Sequence, residues 1–127
     1  MSYSMQQGVT STLVRGCLVV TLPQELADRL DQIQAAVLDA VRETGARVAV
    51  IEMSAVKVLD CEEFLGIRAM VGMLRLLGAR PILVGLSAGI VGYLVSNDAD
   101  TGGLEVERDL QDALDLATRD HGTSVAR

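Results

Sequence analysis

Gly85-Leu86-Ser87-Ala88-Gly89 is the segment whose residue types most invite chemistry, a G-x-S-x-G pattern between an apolar run and a helical stretch. Hydrolases hold a nucleophilic serine on such a turn. Asp98, Asp100 or Asp109, followed by His121, would complete the order serine, carboxylate, histidine. A general base must be held within about 3 Å of the proton it takes, yet the only histidine opens the last seven residues, which read as a loose end. Two glycines and a helix-capping serine account for the pattern without chemistry. A small serine hydrolase using Ser87 therefore stands as a distant alternative.

The second constellation is Asp60-Cys61-Glu62-Glu63. Asp60 followed three residues later by Glu63 is a variant of the capping box that opens a helix. The helix dipole favours a thiolate on Cys61, whereas three adjacent carboxylates disfavour a further negative charge. The signs oppose, and a small apolar residue in the first helical turn is the simpler reading. The acidic residues Asp98, Asp100, Glu105, Glu107, Asp109 and Asp112 lack the spacing of a calcium loop. One histidine and two cysteines 44 positions apart leave little for a transition metal. Neither a dinucleotide fingerprint nor a phosphate-cradling loop is present, so no metal and no cofactor is expected.

These segments need elements to hold them. Thr12 to Leu22 reads as two strands around a tight turn at Arg15-Gly16, closed by Pro23. From Gln24 to Thr44 the apolar residues Leu26, Leu30, Ile33, Val37, Ala40 and Val41 keep helical spacing, with Gly45 as the stop. Val48 to Met53 is a near-continuous apolar run, as expected of a strand covered on both faces. Ser54 to Asp60 reads as a connection held to the core by Val56, Val58 and Leu59. A strongly apolar helix follows from Cys61 to about Leu77. Pro81 to Gly85 is another buried strand, Ser87 caps a short helix to about Val95, Leu104 to Val106 is a brief strand, and Asp109 to Thr118 a last helix. Strands alternating with helices give an α/β fold with a small, mostly parallel sheet, an antiparallel N-terminal strand pair and about four covering helices.

With 127 residues there is room for one domain. Its expected limits are 12–120, with flexible segments at 1–11 and 121–127. Half the residues are apolar but only three are aromatic, so the core must be aliphatic. The net charge of −6 and the lack of aromatics argue against a nucleic-acid partner. No apolar run approaches the roughly 18 residues that span a bilayer. The polar, uncharged start lacks the pattern of a signal peptide, which with the few cysteines points to a cytoplasmic protein without membrane attachment.

Over roughly residues 10–120 the chain resembles the STAS family (sulphate transporter and anti-sigma factor antagonist), and within it the RsbS-like stressosome scaffolds. The residues that carry the resemblance are Gly16-Cys17-Leu18-Val19-Val20, Gln24-Glu25-Leu26 and Glu43-Thr44-Gly45-Ala46. They continue with Val50-Ile51-Glu52-Met53-Ser54-Ala55-Val56, Leu59-Asp60, Leu77-Gly78-Ala79-Arg80 and the strand ending in Gly85. Their order and spacing together make the signal.

The resemblance implies a non-enzymatic domain that forms homodimers or larger assemblies. It implies co-assembly with RsbR-like STAS sensor proteins into a particle that sequesters an RsbT-like serine/threonine switch kinase. In the RsbS-like proteins a phosphorylated serine follows the aspartate that matches Asp60, and here Cys61 takes that position. A thiol is not a substrate for hydroxyl phosphorylation, which turns attention to Ser54 and Ser87 as other acceptors and to oxidation of Cys61. The expected partner-binding residues are Val56, Lys57, Val58, Leu59, Asp60, Cys61, Glu62, Glu63, Phe64 and Ser87, with Leu59, Phe64 and the methionines as the apolar centre. A free-standing anti-anti-sigma factor, binding an anti-sigma kinase without a large particle, is the alternative within the same class.

Overall fold

The computed structural model describes residues 3–6 and 8–125, with side chains described for residues 8–120. Six strands form one sheet in sequence order. Three pair antiparallel: β1 (Tyr3–Gln6), β2 (Val9–Val14) and β3 (Cys17–Thr21). From β3 onward the sheet is parallel, through β4 (Val48–Glu52), β5 (Arg80–Val84) and β6 (Val106–Glu107). The connecting helices are α1 (Leu30–Thr44), α2 (Cys61–Leu76) and α3 (Ala88–Ser96), and α4 (Leu110–Val125) ends the order. The small mixed sheet with four helices is the architecture expected from the residue pattern.

The alternation within each strand explains why β3, β4 and β5 are apolar throughout. Leu18, Val20, Ala49, Ile51 and Leu83 point into a core shared with α1, α2 and α3. Their neighbours Cys17, Val19, Val50, Ile82 and Val84 point to the other face, where Ala113, Leu114 and Ala117 of α4 cover them. A strand between two helical layers has no wet face and so no polar alternation. Phe64 is the one aromatic residue buried in the larger cluster, and the rest of the core is aliphatic.

Three expectations change. Regular structure reaches beyond 12–120 among the described residues: β1 and the start of β2 precede Thr12, and α4 runs on to Val125. The uncharged polar alternation of β1 and β2 carries no strong apolar signal, and an edge strand needs none. The first helix begins at Leu30 rather than Gln24. Asp28 adopts a left-handed backbone with φ of 61°, which breaks the helical path, and the Arg29 guanidinium donates to the Glu25 carbonyl at 2.8 Å. Leu26 still enters the core from this turn, so the apolar spacing continues where the helix does not. Finally, Val58 is 68 % exposed while its neighbours Val56 and Leu59 are buried.

α1 and α2 meet closely at Gly66. A Cβ there would overlap the Leu30 side chain, and the Gln34 side-chain amide donates to the Gly66 carbonyl at 2.7 Å. Gly66→Ala is expected to destabilise the fold by about 1–3 kcal/mol, as overpacking does, despite its better helix propensity. The midpoint of urea unfolding reads this directly, and a midpoint at or above the parent's contradicts the close approach.

Candidate functional site

The loops that follow β3, β4 and β5 gather at one end of the sheet, the carboxyl end, where α/β folds place their ligands and partners. Backbone bonds hold them side by side. Leu22 N donates to Glu52 O at 3.0 Å, Met53 N to Val84 O at 2.9 Å and Lys57 N to Gln24 O at 3.1 Å. The Glu52 carboxylate turns back to accept from Ser54 N at 2.7 Å. Gly85 sits directly against this bend with φ of 78°, and a Cβ there would strike the Ser54 hydroxyl and lie 2.6 Å from the carboxylate. Glycine is the residue that fits both demands.

The connection then enters α2 through a complete capping box. The Asp60 carboxylate accepts from Glu63 N at 2.7 Å, and the Glu63 carboxylate accepts from Asp60 N at 3.0 Å. Cys61 follows as the first helical residue, half-buried and unpaired. Ser87 caps α3 in the same way, its hydroxyl accepting from Ile90 N at 3.2 Å. A shallow depression joins the two caps, lined by Lys57, Val58, Asp60, Ser87 and Tyr93 among others. On the other side of α2, Asp28 and Asp31 face Asp60, Glu62 and Glu63 across a second groove.

The Tyr93 hydroxyl lies beside Cys61. Negative charge on that thiol is the largest cause holding the Tyr93 pKa above its ordinary value, with loss of solvent and Asp60 adding to it. The other cysteine is different: burial pushes the Cys17 thiol up, and the positive charge of Arg15 offsets part of that rise.

The structure brings Lys57, Val58, Asp60, Cys61, Glu62, Glu63 and Ser87 to one end of the molecule, with Val58 as an exposed apolar member. It removes Val56, Leu59 and Phe64 from that surface, because all three are buried in the core. Met53 and Met70 are buried too, and Met73 is half-buried on a separate groove between α1 and α2, so Leu59, Phe64 and these methionines do not form an apolar centre beside the capped start of α2. Val91, Tyr93 and Val95 of α3 are exposed instead. Tyr93, Asp28 and Asp31 are the members that spacing along the chain misses. The helix pattern of 88–96 leaves Tyr93 off the Ile90–Leu94 face, which is the one available signal.

The hydrolase constellation does not form. Asp120 pairs with Arg80 at 2.9 Å, which places that turn of α4 beside the start of β5, whereas Ser87 lies beyond the end of β5. His121 follows Asp120 at the far end of the sheet, with its side chain outside the described residues. Among the described residues no group of His, Cys, Asp or Glu is arranged to hold a metal ion, and no helix is long and apolar enough to cross a membrane.

No family model and no curated protein matches the sequence. Solved structures do match the fold. The RsbS of Moorella thermoacetica, bearing a serine-to-glutamate substitution, is 22 % identical with a TM-score of 0.74, over 87 % of this chain and 95 % of that one. A chain from the stressosome, described as a signal integration and transduction hub, is 23 % identical with a TM-score of 0.74, over 86 % of this chain and 96 % of that one. The anti-sigma factor antagonist SpoIIAA in its unphosphorylated form is 14 % identical with a TM-score of 0.60, over 93 % of this chain and 98 % of that one. This chain has the STAS fold. On this fold the second helix is capped by Asp60 and Glu63.

Two measurements follow from the site. Asp60→Ala removes an N-cap acceptor and is expected to lower stability by about 1 kcal/mol, read from the denaturation midpoint, with no loss expected in Lys57→Ala. In the native protein at neutral pH, iodoacetamide should modify Cys61 and leave the buried Cys17 intact. Because the folded state holds the Cys17 proton more tightly than the unfolded chain, stability falls as pH rises through the thiol range. Equal labelling of both thiols in peptide mapping contradicts this.

Proposed function

We propose that this chain is a non-enzymatic, cytoplasmic scaffold of the stressosome type that acts by reversible protein–protein binding. In this reading it co-assembles with RsbR-like STAS sensors and holds an RsbT-like serine/threonine kinase at the surface formed by Lys57, Val58, the α2 start and α3. The observation that carries the proposal is Cys61, seated at the first position of a fully capped α2 beside an exposed loop, on a fold shared with RsbS and SpoIIAA. Nothing in this arrangement binds a small substrate in depth, and the acidic groove with its apolar neighbours suits a basic protein partner.

Cys61 replaces a phosphoacceptor hydroxyl in this reading, so the switch does not run through phosphorylation of α2. Even a phosphate forced into this place, of about −2 charge, would sit against Glu62 and Glu63 and be repelled by them. Regulation then passes to the partner subunits or to oxidation of Cys61.

Mixing the protein with an RsbR-like STAS sensor and an RsbT-like kinase should give, on size-exclusion chromatography, a particle far larger than a dimer that retains the kinase. With ATP added, mass spectrometry should find no phosphate on this chain. A one-to-one complex with a kinase and no particle favours the free-standing antagonist. Phosphate on Ser54 or Ser87 refutes the loss of the switch, and a fluorophosphonate label on Ser87 refutes the non-enzymatic reading altogether.

A further inference from the structure

We propose that the hollow at the amino ends of β3 and β4 binds a small amphiphilic carboxylate, of the chemical class of a medium-chain fatty acid anion. It lies between the β2–β3 turn, the end of α1 and the middle of α4, at the opposite end of the sheet from the capped start of α2. Its volume is about 360 Å³, toward the small end of the roughly 300–1,000 Å³ of small-molecule sites. Leu13, Ala46, Val48 and Ala117 give it apolar walls. Its use does not depend on which partner binds at the other end.

Two arginines mark what the ligand must carry. Arg15 and Gly16 make the two-residue turn between Val14 and Cys17, with φ of 53° and 77°. Such a turn needs positive φ at both positions and favours Asn, Asp or Gly at the first, so an arginine holds that backbone at a cost. Its ion pair with Asp115, at 3.1 Å and half-exposed on both sides, offsets little of that cost. Arg15 nevertheless stands here and lines the hollow. Asp115 engages one nitrogen of the guanidinium fork and leaves its other N–H groups to a ligand.

Arg47 lines the same hollow and is exposed. Among the described residues it is the one arginine without an ion pair or a side-chain hydrogen bond. In a chain with 17 acidic and 11 basic residues, a cation left without a carboxylate is an exception. No carboxylate among the described residues lines the hollow. Burial keeps the Cys17 thiol protonated against the pull of Arg15, so it adds no negative charge. The carbonyls of Ala40 and Val41 that end α1 here are already met by the Thr44 hydroxyl and Gly45 N. What remains unmatched is positive charge over an apolar wall. A carboxylate suits guanidinium forks and its hydrocarbon chain suits the walls, whereas a compact inorganic anion leaves the walls unused.

Titration of the full chain with octanoate, followed by calorimetry and by amide chemical shifts, tests the proposal. Octanoate should shift the amides of Gly16, Gly45, Ala46 and Ala117 and raise the unfolding midpoint with its concentration. Octanol lacks the charge, acetate and inorganic phosphate lack the chain, and each should bind more weakly than octanoate. Arg47→Gln removes a side chain that holds no other group, so the midpoint without ligand should stay unchanged. The same substitution should weaken octanoate binding about ten-fold, the loss of one charge-assisted hydrogen bond. Octanoate that shifts none of these amides overturns the proposal. So does undiminished binding to Arg47→Gln, or octanol or octylammonium binding as tightly as octanoate.

Discussion

The reciprocal bonds between Asp60 and Glu63 decide where everything at the functional end of this molecule stands. They satisfy two backbone N–H groups that the start of α2 otherwise leaves open, and they fix the angle at which the connection from β4 enters the helix. Once that angle is set, Leu59 on one side and Phe64 on the other drop into the core. Val58 and Cys61 are left at the surface as a consequence. The side chains offered to a partner are those that the cap prevents from turning inward.

This constraint also accounts for the character of the surface. A connection only a few residues long, pinned by Met53 and Val56 at one end and the capping box at the other, has little freedom to close over a ligand. The acidic groups around it come from the starts of two helices, Asp28 and Asp31 at α1 and Asp60, Glu62 and Glu63 at α2, and a helix N-terminus tolerates carboxylates. Such a surface suits the protein recognition proposed above. Beside the depression, Gly85 brings the loop after β5 hard against Glu52 and Ser54.

Much of the fold is legible in the residues themselves, and the failures have physical causes. Apolar runs at Val48–Glu52 and Arg80–Val84 report burial on both faces, and Asp60 with Glu63 reports a helix start without reference to any distant residue. α1 misleads because Leu26 keeps helical spacing from a turn: burial sets the spacing, and Asp28 breaks the backbone path independently. β1 and the first residues of β2 escape notice because an uncharged polar segment at the sheet edge carries little apolar signal. At the site, the local members are readable and their burial is not. Leu59 and Val58 are adjacent and both apolar, and only the packing of α2 against the sheet decides that one is covered and the other free. Tyr93 belongs to the site solely because β5 lies beside β4, a fact of strand order that no local pattern states.

That strand order bears on the role of Cys61. Placing β5 beside β4 brings α3 next to the start of α2, so that Tyr93 lies beside the thiol while Ser87 caps its own helix nearby. A hydroxyl in place of the thiol would have its oxygen in the same half-exposed position, open to a kinase approaching over Val58. Sulfur in that position keeps the geometry, and negative charge on it is the largest cause holding the Tyr93 pKa above its ordinary value. In the reading proposed above, the arrangement keeps the shape of the α2 start, while a thiol, unlike a hydroxyl, takes no phosphate.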